Sequence, residues 1–172
     1  MKYDFTSLMN RSGHDSIAVD QIPIPGAEVK EGFSRIPMWV ADMDFAAPPP
    51  VLEALQARIA HGVFGYADPW PSLVEAVQAG IARDHGWHIE PDWLVWLPGV
   101  VSGFNLACAI AGEVGDGVVT ATPVYPPFLS APANTGRVLQ RCELVLRAGR
   151  WQWDWEALER AVDARSRLLL LC

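Results

Sequence analysis

The stretch from Trp93 to Glu113 constrains the fold of this 172-residue chain more than any other. A short apolar run, Leu94 to Leu97, is followed by Pro98-Gly99, after which apolar residues repeat at the spacing of a buried helix. We therefore predict a strand, a tight turn and a helix. The first amides of a helix lack intrahelical acceptors and lie at the positive end of its dipole, so such a turn suits a phosphate group.

Two residues of this turn favour a bound ligand. Gly99 permits a close approach of the backbone, and Ser102 adds a hydroxyl donor. Many strand-to-helix turns bind nothing, however, so the turn alone leaves a purely structural role open.

Composition and charge exclude several classes of function. The chain is 51% hydrophobic, which is enough for one domain with a sizeable core. Its net charge of -7 and the lack of a Lys/Arg run argue against nucleic acid as a partner. The amino terminus lacks the apolar core of a signal peptide, and no window reaches the ~18 apolar residues of a membrane span. The sequence predicts a soluble, cytoplasmic protein with no membrane partner.

Cysteines and histidines give no signal for a metal site. The three cysteines form no Cys-x-x-Cys pair, so we interpret them as packed or free thiols. His85 and His88 are three residues apart, but Gly86 lies between them and no cluster of acidic or cysteine ligands accompanies them. We predict that no metal is bound.

The first part of the chain is an irregular arm, to about residue 36, followed by a pair of carboxylates. Asp42 and Asp44 follow an apolar segment and, on an extended chain, lie on the same side. Such a pair suits acid/base chemistry or a metal, but the interpretation we favour is that each carboxylate orients a nearby backbone turn.

Two amphipathic helices are predicted next, one from the prolines at 48–50 to Gly62 and one ending at Gly86. The loop between them carries three aromatic residues, and Tyr66 is the most notable because loops often present functional groups. Packing of the other two aromatics against the helices is the simpler alternative.

The remaining chain alternates strands and helices. Strands are predicted at Gly117–Thr122, Arg137–Val145 and Leu168–Leu171, and Asp154 is a predicted helix N-cap. This alternation indicates an α/β fold with a mostly parallel sheet covered by helices on both faces. Tyr125 follows the first of these strands, at the edge of such a sheet where ligands bind.

Five segments together resemble one enzyme family. They are Val40-Ala-Asp-Met-Asp-Phe, His61-Gly-Val-Phe-Gly-Tyr, Leu97-Pro-Gly-Val-Val, Thr122-Pro-Val-Tyr-Pro-Pro-Phe and Trp153-Asp-Trp-Glu-Ala-Leu-Glu. The chain resembles, along essentially its whole length, the cystathionine β-lyase/cystalysin-like branch of fold-type I pyridoxal-phosphate enzymes, in the aspartate aminotransferase superfamily. The resemblance implies the amino-terminal half of that fold: residues 1–47 as an arm and small-domain segment, and 48–172 as the first part of the cofactor-binding domain.

The resemblance also assigns roles to individual residues. The amides of Val100 and Val101 are expected to bind the phosphate of pyridoxal 5'-phosphate, and Tyr125 to stack on its ring. Tyr66 is expected to cross a homodimer interface to the phosphate of the other subunit's cofactor. Weaker candidates for the substrate pocket are Val40, Ala41 and Asp42.

The activity implied by the resemblance is α,β-elimination of a sulfur-containing amino acid, cystathionine or cysteine, to pyruvate, ammonia and a thiol. An aminotransferase, or a non-catalytic regulatory remnant of the same fold, is the alternative. A nicotinamide-binding domain is disfavoured because the Gly99–Gly103 turn lacks the Gly-x-Gly-x-x-Gly spacing.

Members of the family are much longer than this chain, and the additional half carries their Schiff-base lysine. The chain's two lysines, Lys2 and Lys30, both lie in the arm and outside any lysine motif of the family. No residue is therefore assigned a catalytic role. The expectation is a truncated product that is inactive alone and either oligomeric or poorly soluble, because a buried strand near Leu171 needs a cover.

Overall fold

Strand β1, Gly117–Thr122, is the centre of a three-stranded parallel sheet. Its neighbours are β2, Val138–Glu143, and β5, Ser166–Leu170, in the order β2-β1-β5. The structure, a computed structural model, describes residues 3–7, 9–20, 31–33, 36 and 38–172. The first four residues of β1 are buried, so both faces of this strand are covered, as predicted.

The connections between the strands place helices on both sides of the sheet. Helix α5, Pro127–Asn134, links β1 to β2, and helix α6, Trp155–Ala161, lies between β2 and β5. The connection from β1 to β2 runs toward one edge of the sheet, and the connection from β2 to β5 runs toward the other edge. Because such connections are right-handed, α5 and α6 lie on opposite faces of the sheet. The predicted α/β class with a parallel sheet is therefore confirmed.

A short hairpin interrupts the predicted strand Arg137–Val145. Strand β2 ends at Glu143, and β3, Val145–Arg147, pairs antiparallel with β4, Arg150–Gln152. Asp154 caps α6 as predicted, because its Oδ1 accepts a hydrogen bond of 3.0 Å from the Ala157 N–H.

The core lies where helix α4, Val100–Ile110, and α5 cover one face of the sheet. The rings of Phe104 on α4 and Phe128 on α5 are 4.7 Å apart between centroids. The other buried members of this cluster are Cys108, Val118, Ala131 and Leu170. Because one cluster contains residues of both helices and of the sheet, the position of α4 is fixed by packing.

The predicted strand at Leu94–Leu97 is wrong. A 3₁₀ helix, Pro91–Trp93, precedes this segment, which pairs with no strand in the part of the chain that the structure describes. An apolar run predicts burial, but a strand also needs a neighbour that supplies ladder hydrogen bonds, and the run says nothing about such a neighbour. Val95 is 80% exposed.

The two predicted amphipathic helices are confirmed. They are α2, Pro49–His61, and α3, Pro71–His85, and each ends at a glycine in the left-handed conformation, Gly62 or Gly86. A short helix, α1, Ile17–Asp20, lies in the arm. The apolar stripe of α2 is exposed, whereas that of α3 is partly buried. The helices that the structure describes include none with the length and apolar character needed to cross a membrane.

The chain divides into two compact units, Met1–Asp68 and Pro69–Cys172. Helices α1 and α2 belong to the first unit, and α3 together with the sheet and its helices belongs to the second.

A buried carboxylate stabilises the turn between α4 and β1. The two carboxylate oxygens of Asp116 accept hydrogen bonds from the Glu113 N–H, at 2.9 Å, and from the Arg165 Nε, at 3.1 Å. The Arg167 Nε lies 3.6 Å away. Asp116 is only 6% exposed, and these donors, the Glu113 N–H first, lower its pKa from the ordinary value.

We expect Asp116 to make stability fall in acid. Its pKa is lower in the folded protein, so the unfolded chain takes up the proton more readily and folding loses stability as the pH falls below about 3.8. In Asp116→Asn this part of the pH dependence is expected to disappear, and the thermal midpoint at pH 7 to drop by several degrees. Thermal unfolding between pH 3 and 7 measures both effects, with the exposed Asp92→Asn as control. An unchanged acid profile in Asp116→Asn would contradict this role.

Candidate functional site

The amino end of α4 presents three amides that have no intrahelical acceptor. The first helical hydrogen bond runs from the Gly103 N–H to the Gly99 carbonyl, at 3.0 Å. The N–H groups of Val100, Val101 and Ser102 precede it, at the positive end of the helix dipole. The predicted turn and helix are confirmed here, and the amides form a cluster of donors suited to an anion.

The space beside these amides is open. A Cβ added to Gly99, which adopts φ 158° and ψ 164°, would meet no atom within 4 Å. Val100 is also 79% exposed. Among the described residues, a group the size of a phosphate therefore has room next to the donors.

An apolar cavity of about 540 Å³, largely open to solvent, runs along α4 against the extended segment before it. Its lining residues, which are all uncharged, are Val95, Trp96, Leu97, Gly99, Val100, Gly103, Phe104 and Ala107. The cavity suits apolar groups and provides no charge to balance an anion. At this end of α4 the described residues therefore offer an anion backbone amides and no charged side chain of this lining.

Tyr125 precedes helix α5, which packs against α4. Phe104, near the start of α4, packs against Phe128, three residues after Tyr125, with ring centroids 4.7 Å apart. Tyr125 follows the carboxyl end of β1, and its carbonyl accepts the Phe128 N–H at 3.0 Å. Its side chain is 55% exposed, which leaves a ring face available for stacking.

In the first unit, Asp42 and Asp44 share a cation. Arg11 donates from its Nη2 to Asp42, at 2.5 Å, and from its Nη1 to Asp44, at 3.4 Å. The hydrogen bond to Asp42 raises the pKa of Arg11. In a third hydrogen bond, of 2.9 Å, the Arg11 Nη2 donates to the Ser16 hydroxyl. The interpretation that we favoured, in which each carboxylate orients a nearby backbone turn, is not what these contacts show: the partner is a side chain 31 residues from Asp42. Sequence reasoning missed Arg11 because it is so distant in the chain.

Tyr66 belongs to the same first unit and is fully exposed. Its loop follows α2, where Arg58 lies 5.8 Å over the ring of Phe64. Phe64 and Trp70 are 68% and 59% exposed, so the structure does not show the simpler alternative, packing of both rings against the helices. No described residue covers the Tyr66 ring. Val40 is half-buried and Ala41 exposed, next to Asp42 in the segment that Arg11 holds.

Two of the three cysteines, Cys108 and Cys142, are buried thiols, and Cys172 is an exposed one. Burial raises the pKa of both buried thiols. They are packing residues, as predicted. Among the described residues, no three His, Cys, Asp or Glu side chains are grouped so that they could hold a metal ion.

Comparison with known proteins gives the relatives of this chain. No family model matches it. It is 39% identical over 138 residues to cystathionine β-lyase PatB of Bacillus subtilis, covering 80% of this chain and 36% of that protein. It is 29% identical over 173 residues to MalY of Escherichia coli, covering 99% of this chain and 43% of that protein.

A solved structure shows the same fold. Cystalysin from Treponema denticola, whose structure contains a pyridoxal 5'-phosphate cofactor, superposes with a TM-score of 0.84 at 33% identity, over 98% of this chain and 43% of that one. The chain thus spans about two-fifths of the length of these relatives.

The parallel sheet, the start of α4 and the solved structure of cystalysin together show the class of protein. The chain has the fold of the pyridoxal-phosphate-dependent fold-type I enzymes. Within that class the chain is related to part of the cystathionine β-lyase/cystalysin-like C–S lyases. The resemblance to this family that was inferred from the sequence is confirmed.

Proposed function

We propose that this chain forms the phosphate-binding part of a pyridoxal-phosphate-dependent carbon–sulfur β-lyase. The observation that supports this most strongly is the pair of amides at Val100 and Val101, which have no intrahelical acceptor and face open space among the described residues, in a chain 39% identical to a cystathionine β-lyase. The proposed reaction is α,β-elimination of cystathionine or cysteine to pyruvate, ammonia and a thiol.

The residues of the second unit fit the cofactor's phosphate and ring. The amides of Val100 and Val101 donate to phosphate oxygens, and the dipole of α4 favours the negative charge. The ring of Tyr125 offers a flat apolar face for a pyridine ring. When bound, pyridoxal phosphate supplies an electron sink for the electrons left at the substrate's α-carbon when its proton departs.

The first unit supplies the other proposed contacts. We propose that Tyr66 reaches the cofactor phosphate of a second copy in a homodimer, which its full exposure and the exposed apolar stripe of α2 support. For the substrate pocket we propose Val40, Ala41 and Asp42, with Arg11 holding the Asp42 side chain in place. The cytoplasmic location and the division into residues 1–47 and 48–172 remain predictions.

No residue of this chain is assigned the covalent attachment of the cofactor. Its two lysines, Lys2 and Lys30, lie outside the described residues. The matched relatives are more than twice as long as the part that this chain spans. The proposed elimination accordingly concerns a protein with the full length of those relatives.

The test is to isolate the native protein that contains this sequence from its source cell, to measure its intact mass and to assay it with cystathionine. A species much heavier than 18.9 kDa that releases pyruvate and a thiol without a keto-acid acceptor is the expected result. Amino transfer that requires a keto acid would identify an aminotransferase instead. A stable 18.9 kDa species without turnover would replace the lyase with the non-catalytic alternative.

A further inference from the structure

Asn105 forms hydrogen bonds to both helices that border the candidate site. Its Nδ2 donates to the Val101 carbonyl at 2.8 Å, one turn earlier in α4. Its Oδ1 accepts a hydrogen bond of 3.2 Å from the Asn134 Nδ2, at the last residue of α5. The half-buried side chain of Asn105 thus connects the Val101 carbonyl to helix α5 through two hydrogen bonds.

The bond to the Val101 carbonyl acts on one of the free amides. That carbonyl and the Ser102 N–H belong to the same peptide unit, which is planar and trans, so the two groups point in opposite directions. Within α4 the Val101 carbonyl already accepts the Asn105 backbone N–H, and the side-chain amide adds a second donor to it. This second bond further restricts the direction of the Ser102 N–H, which points out of the amino end of the helix. A hydrogen bond to the carbonyl also polarises the peptide and makes its N–H a stronger donor.

Resting on the proposed function, we propose that Asn105 is a positioning residue for the phosphate, and that the Ser102 N–H is a third donor beside those of Val100 and Val101. Asn134 holds the Asn105 amide in the required orientation. The Phe104–Phe128 contact, which joins the same two helices, keeps α4 and α5 at the distance that this pair of side chains spans.

The test compares two probes on the full 172-residue chain by calorimetry: pyridoxine 5'-phosphate and pyridoxine. Neither carries an aldehyde, so neither attaches covalently to amino groups. We expect Asn105→Leu, which keeps the size but removes both hydrogen bonds, to weaken binding of pyridoxine 5'-phosphate about threefold to tenfold and to leave pyridoxine unchanged. The ¹H shift of the Ser102 amide is expected to move on phosphate binding in the unmodified chain, and much less in Asn105→Leu.

Gln78→Leu is the matched control. The Gln78 Nε2 donates to the Ile89 carbonyl at 2.6 Å, so this variant loses a bond of the same kind, outside α4 and α5. It is expected to lower stability and to leave the ratio of the two affinities unchanged. Asn134→Leu changes an exposed residue and keeps the Asn105–Val101 bond, so it provides a second test if Asn105→Leu fails to fold. We expect Asn134→Leu to reduce the ratio of the affinity for pyridoxine 5'-phosphate to the affinity for pyridoxine about twofold.

The outcomes separate the two proposals. If the unmodified chain shows no preference for pyridoxine 5'-phosphate over pyridoxine, the proposed phosphate site is wrong, and the role of Asn105 with it. If the preference is present but survives intact in Asn105→Leu, or in Asn134→Leu where that variant alone folds, only the role of Asn105 is overturned.

Discussion

Replacement of Val100 by proline is expected to weaken binding of pyridoxine 5'-phosphate by about 10-fold to 100-fold. The change removes one N–H from the amide cluster, and a hydrogen bond to a charged group contributes about 1.5–3 kcal/mol. Binding of pyridoxine, which has no phosphate, is expected to remain the same. Calorimetric titration of both compounds measures the difference.

The fold is expected to tolerate this change. Val100 is the first residue of α4, where proline is well accommodated because the N–H has no intrahelical partner. Gly99 has a ψ of 164°, in the extended range that a residue before proline prefers. Val100→Ala, which keeps the N–H, is the control and is expected to bind like the unmodified chain. Equal loss of affinity in both variants would show that the amide is not the binding group.

Phe128→Ala is expected to lower the free energy of unfolding by about 3–5 kcal/mol. Phe128 is 8% exposed and packs against Phe104, so its removal leaves a cavity between α5 and α4. Loss of this magnitude is a large part of the stability of a domain of this size. Urea unfolding followed by circular dichroism measures the change.

A matched control for this prediction is Trp87→Ala, which truncates an aromatic residue that is 58% exposed. We expect it to cost less than about 1 kcal/mol. If Phe128→Ala and Trp87→Ala had similar effects, the contact between α4 and α5 would not be the core of this unit.

The parts of the fold that sequence predicted are those determined by local pattern. Strand β1 lies where its apolar run predicted it, because a strand buried on both faces reads as a continuous apolar segment. Gly62 and Gly86 end their helices because the left-handed conformation after a helix favours glycine. The side chain of Asp154 caps α6 through a bond within three residues.

The parts that sequence missed depend on contacts between distant residues. Leu94–Leu97 has the composition of a strand but no pairing partner among the described residues, and composition does not reveal a partner. The hairpin of β3 and β4 divides one alternating segment at a turn with Ala148 in the left-handed conformation, which alternation does not predict.

For the candidate site, the turn and the aromatic residue after β1 were visible in the sequence. Val100, Val101 and Tyr125 were named from the strand–turn–helix pattern and the resemblance. The contact between Phe104 and Phe128 brings the amino-terminal parts of α4 and α5 together, and Tyr125 lies just before α5. Asn105 was not visible, because an asparagine within an apolar helix carries no signal of its hydrogen-bond partner. Its partner, Asn134, is 29 residues away.

The central claim, that the start of α4 binds the cofactor's phosphate, is tested most directly by a crystal structure of the 172-residue chain grown with pyridoxine 5'-phosphate. We predict phosphate oxygens within about 3 Å of the backbone nitrogens of Val100 and Val101, with the ring facing Tyr125. A phosphate bound elsewhere on the chain, with the amides of α4 contacting only solvent, would contradict the claim.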